Sequence, residues 1–151
     1  MTKQISIKTK LGWISAYENR GKIFRIKFGK LQKQTKSLIL TNFKKNLLKF
    51  LSKKISYIKT PHEMKGNQIQ KKIWNELKKI KMGKTKSYGS IAKKYKLSPR
   101  YVGKICSQNK LLFLVPCHRV IKSDGGLGGF TSVGGIKLKK KILAFEKNCK
   151  Q

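Results

Sequence analysis

The sequence predicts an α+β chain: a small antiparallel sheet with one helix in the first half, and a mainly helical second half. Three observations carry this. Residues 3–28 alternate apolar and polar side chains in three short runs separated by turn-forming residues. From Asn67 onward the apolar period changes from that of a strand to that of a helix. Hydrophobic residues make up 38% of the 151, enough for a real core and evidence against wholesale disorder.

Each element has its own warrant. "QISIKTK", "GWISAYEN" and "KIFRIKFG" alternate as half-buried strands do, with turns at "LG" and "ENRG". "TNFKKNLLKFLSKK", residues 41–54, sets Phe43, Leu47, Leu48, Phe50 and Leu51 at helical spacing, with Thr41 or Asn42 as the cap. "ISYIKTP" reads as extended up to Pro61. The expected domains are 1–62 and 63–151. In the second, Ile69, Ile73, Leu77 and Ile80 form one stripe, and "KMGKTKS" is a loop. Ser87 caps "YGSIAKKY". Ser98 caps "PRYVGKICSQ", with Pro99 at the first helical position. Two short helices across "KLS" predict a helix-turn-helix. "KSDGGLGGF" is a Gly-rich loop. "GIKLKKKILAFEKN" is a final helix with Ile136, Leu138, Ile142, Leu143 and Phe145 available for packing.

Charge narrows the function. Lys+Arg number 38 against 5 Asp+Glu, a net +33. Arg20, Arg25, Arg100 and Arg119 are the only arginines. A lysine-rich composition can reflect AT-rich coding and a merely solvated surface. Even so, a chain this basic attracts polyanions, nucleic acid first. No apolar run approaches the roughly 18–20 residues of a membrane span, and "MTKQISIKTKLGW" lacks a signal peptide's apolar segment. Cys106, Cys117 and Cys149 have no metal-type spacing, and His62 and His118 are too few for a Cys/His zinc site. No phosphate loop or dinucleotide fingerprint is present. The expectation is a cytoplasmic chain with free thiols, no metal and no cofactor.

The stretch "LLFLVPCHRVI", residues 111–121, puts a thiol, an imidazole and a guanidinium side by side. Individually the bland readings win: a buried cysteine, a structural histidine, and an Arg119 that binds a phosphate or caps a carbonyl. For Cys106 and Cys149 the bland reading is kept. At residue 117 the combination favours a nucleophile. A thiolate is the reactive form, and His118 can serve as its base directly or through one water. A carboxylate would orient the histidine, and the candidates are Glu18, Glu63, Glu76, Asp124 and Glu146.

"VPCHRVI" resembles the active-site signature of the O6-alkylguanine-DNA alkyltransferases. "GNQIQKKIWNELKKIKMGKTKSYGSIA", "SPRYVGKICSQN", "GGLGGF" and "KKKILAFE" resemble that family's flanking segments, so the likeness spans roughly residues 66–147. The first half resembles the family's small ribonuclease-H-like domain through its pattern and the "LGW" turn. The resemblance implies stoichiometric transfer of an alkyl group from guanine O6, and from thymine O4, to the protein's own Cys117. In that reading His118 deprotonates Cys117 through a water and Glu146 orients His118. Asn109 links the recognition helix to the active-site strand. Tyr88 reaches guanine N3, where a donor stabilises developing charge.

Arg100 fills the hole left by a flipped base, on a recognition helix begun by Ser98 that enters the minor groove. Tyr101 stands where the family commonly has alanine, and Gly103 permits close approach. The substrate pocket then comprises Phe130, in place of a common tyrosine, the Thr131 N–H, the Val120 carbonyl and Arg119. Lys110 stands where the family often has proline. The partner implied is double-stranded DNA carrying O6-alkylguanine, bound by a stand-alone monomer with no obligate protein partner and no membrane. The competing readings are a non-catalytic lesion sensor, a general nucleic-acid binder and a cysteine hydrolase. Cys117 argues against the sensor. The hydrolase suffers because adjacent Cys and His side chains diverge in an extended strand.

Overall fold

Strands β1 (Lys3–Thr9), β2 (Gly12–Asn19) and β3 (Lys22–Phe28) pair antiparallel in that order, as the alternation predicts. The computed structural model describes residues 1–128 and 135–147. Its contacts group into two units: Met1–Lys65 with Lys110–Leu114, and Gly66–Asn109 with Val115–Gln151.

In the first unit, the turn between β2 and β3 holds Arg20 and Gly21 at φ 54° and 78°. Two successive positive φ values match the right-handed twist of a two-residue hairpin, and glycine accepts one without strain. Helix α1 (Leu38–Leu51) lays Leu40, Phe43, Leu47, Phe50 and Leu51 on the sheet's inner face. Its cap is Ser37, not Thr41 or Asn42. The Ser37 Oγ accepts from the Leu40 N–H and donates to the buried Glu18 carboxylate at 2.6 Å. That second bond comes from β2, so local capping preference alone does not select Ser37.

The "ISYIKTP" segment forms no strand. It ends in a single bridge, with the Ile23 N–H bonded to the Pro61 carbonyl. Tyr57 there is exposed, so the segment lacks the alternating buried face of a strand. Residues 110–114 join this unit through an Ile26–Leu111 bridge, and the Phe113 ring packs on Phe28 and Phe50.

The second unit begins with helix α2 (Gln68–Leu77). Asn67 and Gln70 cap it reciprocally, each side chain accepting from the other's backbone N–H. Ile73, Trp74 and Leu77 face inward, and the Trp74 indole N–H donates to the Ile105 carbonyl. Short strands β4 (Lys86–Ser87) and β5 (Val120–Ile121) pair in parallel. Helix α3 (Tyr88–Tyr95) starts at Ser87 and ends at Lys96 in the left-handed region. Helix α4 (Pro99–Ser107) starts at Ser98, as expected. The two helices pack as the anticipated pair.

Glu76, buried on α2, braces them: it accepts from the Tyr95 hydroxyl at 2.8 Å and from Lys94 at 3.0 Å. Burial pushes this carboxyl up, but the bonds from Tyr95, Lys94 and Lys79 prevail and hold it at about 2. Helix α5 (Gly135–Lys147) closes the described chain. It buries Leu138 and Ile142 as expected, leaves Ile136 exposed, and also buries Lys139 and Glu146.

Candidate active site

The Cys-His-Arg segment is not an extended strand. Cys117–Arg119 form a single 3-10 turn between Val115 and β5. The Cys117 N–H donates to the Val115 carbonyl and the Arg119 N–H to the Pro116 carbonyl. Neighbouring side chains therefore need not alternate about a sheet, and this removes the premise used above against the hydrolase reading. Cys117 keeps part of its surface open, whereas His118 and Arg119 are buried.

Asn109 fastens the turn. Its amide donates to the Val115 carbonyl at 2.8 Å and to the Cys117 Sγ at 3.2 Å. Its backbone N–H bonds the Cys106 carbonyl near the end of α4. One residue thus ties the end of that helix, through its backbone, to the thiol, through its side chain. Dense packing around the sulfur pushes the Cys117 thiol up, and the Asn109 bond and the Lys139 charge pull against that. At rest the group is a thiol that needs a base.

The base lies one residue on. His118 Nε2 is 3.0 Å from Glu146 Oε2. Burial pushes the imidazole below its ordinary value, with Glu146 opposing, so the neutral ring prevails. A neutral ring that donates to the carboxylate through Nε2 accepts through Nδ1. Arg119 grips the same carboxylate with Nε at 2.9 Å and Nη2 at 2.7 Å, and its Nη1 donates to the Ile80 carbonyl at 2.7 Å. Burial raises the Glu146 carboxyl, but the Arg119 and His118 bonds outweigh it and hold it at about 2. Of the five acids that sequence leaves open, the structure brings Glu146 to His118.

Tyr88 opens α3 half-buried, and burial pushes its phenol up to about 12, so it stays a donor. A side chain added at Gly128 would lie 2.9 Å from the Tyr88 ring, whereas one at Gly103 would meet it at 3.9 Å. Gly128, at φ 74°, is thus the glycine this ring requires. On α4, Val102, Ile105 and Cys106 turn inward while Ser98, Arg100 and Tyr101 stay exposed. Val120 is buried. Phe130, Thr131 and Cys149 lie outside the described residues.

Sequence reasoning missed Lys139. It is fully buried, and its Nζ donates to the Val120 carbonyl at 2.7 Å, to the Leu127 carbonyl and to the Tyr88 hydroxyl at 3.3 Å. Burial pulls its ammonium down, while charge on Cys117 or Cys106 pulls it up. The available signal was position: Lys139 falls on the inward stripe of α5 with Ile142 and Glu146. Among the described residues no cluster of three metal-ligand side chains exists, and no helix is long and apolar enough to cross a membrane.

These buried groups set an acid limit. Glu146 and Glu76 lie at about 2 when folded against 4.5 ordinarily. Their contribution is complete above 4.5 and is lost as pH falls toward 2. His118, depressed below 6.5, adds a loss that begins below 6.5, because only the unfolded chain takes up the proton there. Circular-dichroism melts should show the melting temperature falling from neutral pH to about pH 3. An unchanged midpoint over that range would contradict this.

The family model described as the 6-O-methylguanine DNA methyltransferase DNA-binding domain matches residues 68–148. A methylated-DNA–protein-cysteine methyltransferase of Sulfolobus acidocaldarius is 46% identical over 80 residues, covering 53% of this chain and 50% of that protein. One of Methanocaldococcus vulcanius is 45% identical over 96 residues, covering 64% and 58%. The matched region thus spans about half of these relatives' length. Among solved structures, Mycobacterium tuberculosis OGT in complex with DNA aligns with a TM-score of 0.84 at 25% identity, covering 95% of this chain and 92% of that one.

Proposed function

Because this chain belongs to the 6-O-methylguanine DNA methyltransferase family, we propose that it repairs O6-alkylguanine, and alkylated thymine O4, in double-stranded DNA by moving the alkyl group to Cys117. The observation that carries the reading is the series Cys117, His118, Glu146, in which the imidazole bonds the carboxylate at 3.0 Å behind a partly open thiol. His118 takes the thiol proton through a bridging water. The sulfur bonds the alkyl carbon, the carbon–O6 bond breaks, and its electron pair passes into the guanine ring.

Tyr88 receives that charge with its hydroxyl hydrogen. Lys139 supports this, since an ammonium only donates: it occupies the Tyr88 oxygen as acceptor and leaves the phenolic hydrogen for the base. In this reading the Val120 carbonyl belongs to the pocket wall. Arg119, with its donors on Glu146 and Ile80, is a positioning residue. Ser98, Arg100, Tyr101 and Gly103 form the DNA side of α4. In this reading residues 1–62 are a supporting domain, residues 63–151 carry DNA binding and chemistry, and the protein acts as a cytoplasmic monomer.

The product is a thioether with no S–H, so each chain should react once. Titration with excess DNA carrying labelled O6-methylguanine tests this. The expected result is a plateau at one methyl per active chain, with label on the Cys117 peptide. Transfer beyond one equivalent, or label on Cys106, would overturn it. Arg100 should act on base extrusion. Arg100→Ala should slow repair of duplex DNA far more than reaction with free O6-alkylated guanine, because only the duplex has a stack to fill. Equal losses on both substrates would refute that role.

A further inference from the structure

We propose that the outer face of the N-terminal sheet is a second nucleic-acid surface, one that takes single-stranded DNA by stacking bases on Tyr17 and Phe24. This goes beyond the repair reading and does not depend on it.

The pleat defines the face. Ile14, Ala16, Ile26 and Phe28 point to the buried side, so their neighbours Ser15, Tyr17, Arg25 and Lys27 point to the other. The segment after β3 covers Ser6 and Ser15, which leaves Tyr17, Arg25 and Lys27 on the open part of that face. A register irregularity at Tyr17/Glu18 brings Phe24 beside Tyr17, with centroids 6.2 Å apart. Neither ring is buried in the core. Both are flanked by cations: Arg25 and Lys27 lie 6.0 and 5.6 Å from the Tyr17 centroid, and Lys65 lies 4.9 Å from Phe24. The pattern recurs along β2, where Lys30 lies 4.8 Å from Trp13.

Charge complementarity selects the occupant. Glu18 and Glu63 are this unit's only carboxylates. Glu18 is buried and bonded to Ser37, and no ion pair among the described residues involves either carboxylate or these cations. The cations thus have rings but no anions as partners. Phosphates supply the anions, and unstacked bases supply flat apolar faces for rings that the core covers only in part. A duplex offers the phosphates without the free bases, and an acidic protein offers carboxylates without an array of planar rings.

The test uses the full chain and fluorescence anisotropy with labelled oligothymidine. Tyr17→Ala/Phe24→Ala should weaken binding about tenfold or more, as loss of base stacking does, while methyl transfer from duplex DNA stays unchanged. Arg25→Gln/Lys27→Gln/Lys65→Gln should lower the salt slope by about 2. Ultraviolet cross-linking of bromodeoxyuridine oligonucleotides to the wild-type chain should label peptides within residues 13–27, a readout that needs no variant to fold. Unchanged affinity in a folded ring variant, cross-links confined to residues 66–109, or tighter binding of oligouridine than oligothymidine would each overturn the proposal.

Discussion

Cys117→Ser should abolish methyl transfer from O6-methylguanine DNA while leaving affinity for the same duplex nearly unchanged. The reason lies in ionisation. A serine hydroxyl stays protonated at any accessible pH, and His118, a neutral buried imidazole, cannot hold its proton long enough to make an alkoxide. The cysteine starts with the opposite advantage. Its thiol is pushed up by packing yet remains within reach of a base, with Asn109 and Lys139 favouring the thiolate once it forms. The wild-type rate should therefore climb as pH rises from about 6 to 9. The exposed face of α4, with Arg100 and Tyr101, is untouched by the substitution, so binding persists. Gel-shift titration alongside labelled-methyl transfer separates the two. Residual transfer by Cys117→Ser, or label on Cys106, would remove Cys117 as acceptor. Cys106 is a poor substitute because burial drives its thiol to about 12.

Much of this architecture was legible locally, and the failures share one cause. The three strands follow from alternation alone, because one face is buried and the other is not. Ser87 and Ser98 cap as expected, since a serine before a helical stripe satisfies the first free N–H groups without outside help. Ser37 was missed because Glu18, nineteen residues away, shares its hydroxyl. Cys117, His118 and Glu146 were reachable from motif and resemblance. The 3-10 turn was not, because it depends on the Asn109 amide holding the Val115 carbonyl. Lys139 was hidden by composition: in a chain with 38 basic residues, one buried lysine has no local mark. Its meaning arises where the Val120 and Leu127 carbonyls and the Tyr88 hydroxyl converge.

Arg119→Met should be the most destabilising single change in the site, although sequence reasoning placed Arg119 against the substrate. Methionine fills similar volume, but it removes the two bonds to Glu146 and the bond to the Ile80 carbonyl. Glu146 then remains buried, with the neutral His118 ring as its bonded partner and no cation in place of the guanidinium. Removing one partner of a buried ion pair costs about 3–5 kcal/mol, against a total stability of about 5–15 kcal/mol. For a chain of this size that corresponds to a melting point lower by about 10 °C or more. Glu146 also loses the two bonds that fix it against His118, which slows transfer even in the folded fraction. Arg119→Met/Glu146→Gln separates the two effects. It removes both charges of this buried pair, so part of the lost stability should return, but the histidine loses its carboxylate and transfer should stay slow. Calorimetry on both variants measures this directly. A single variant that melts within about 2 °C of wild type, or a double variant less stable than the sum of its parts, would show that Glu146 does not depend on the Arg119 fork.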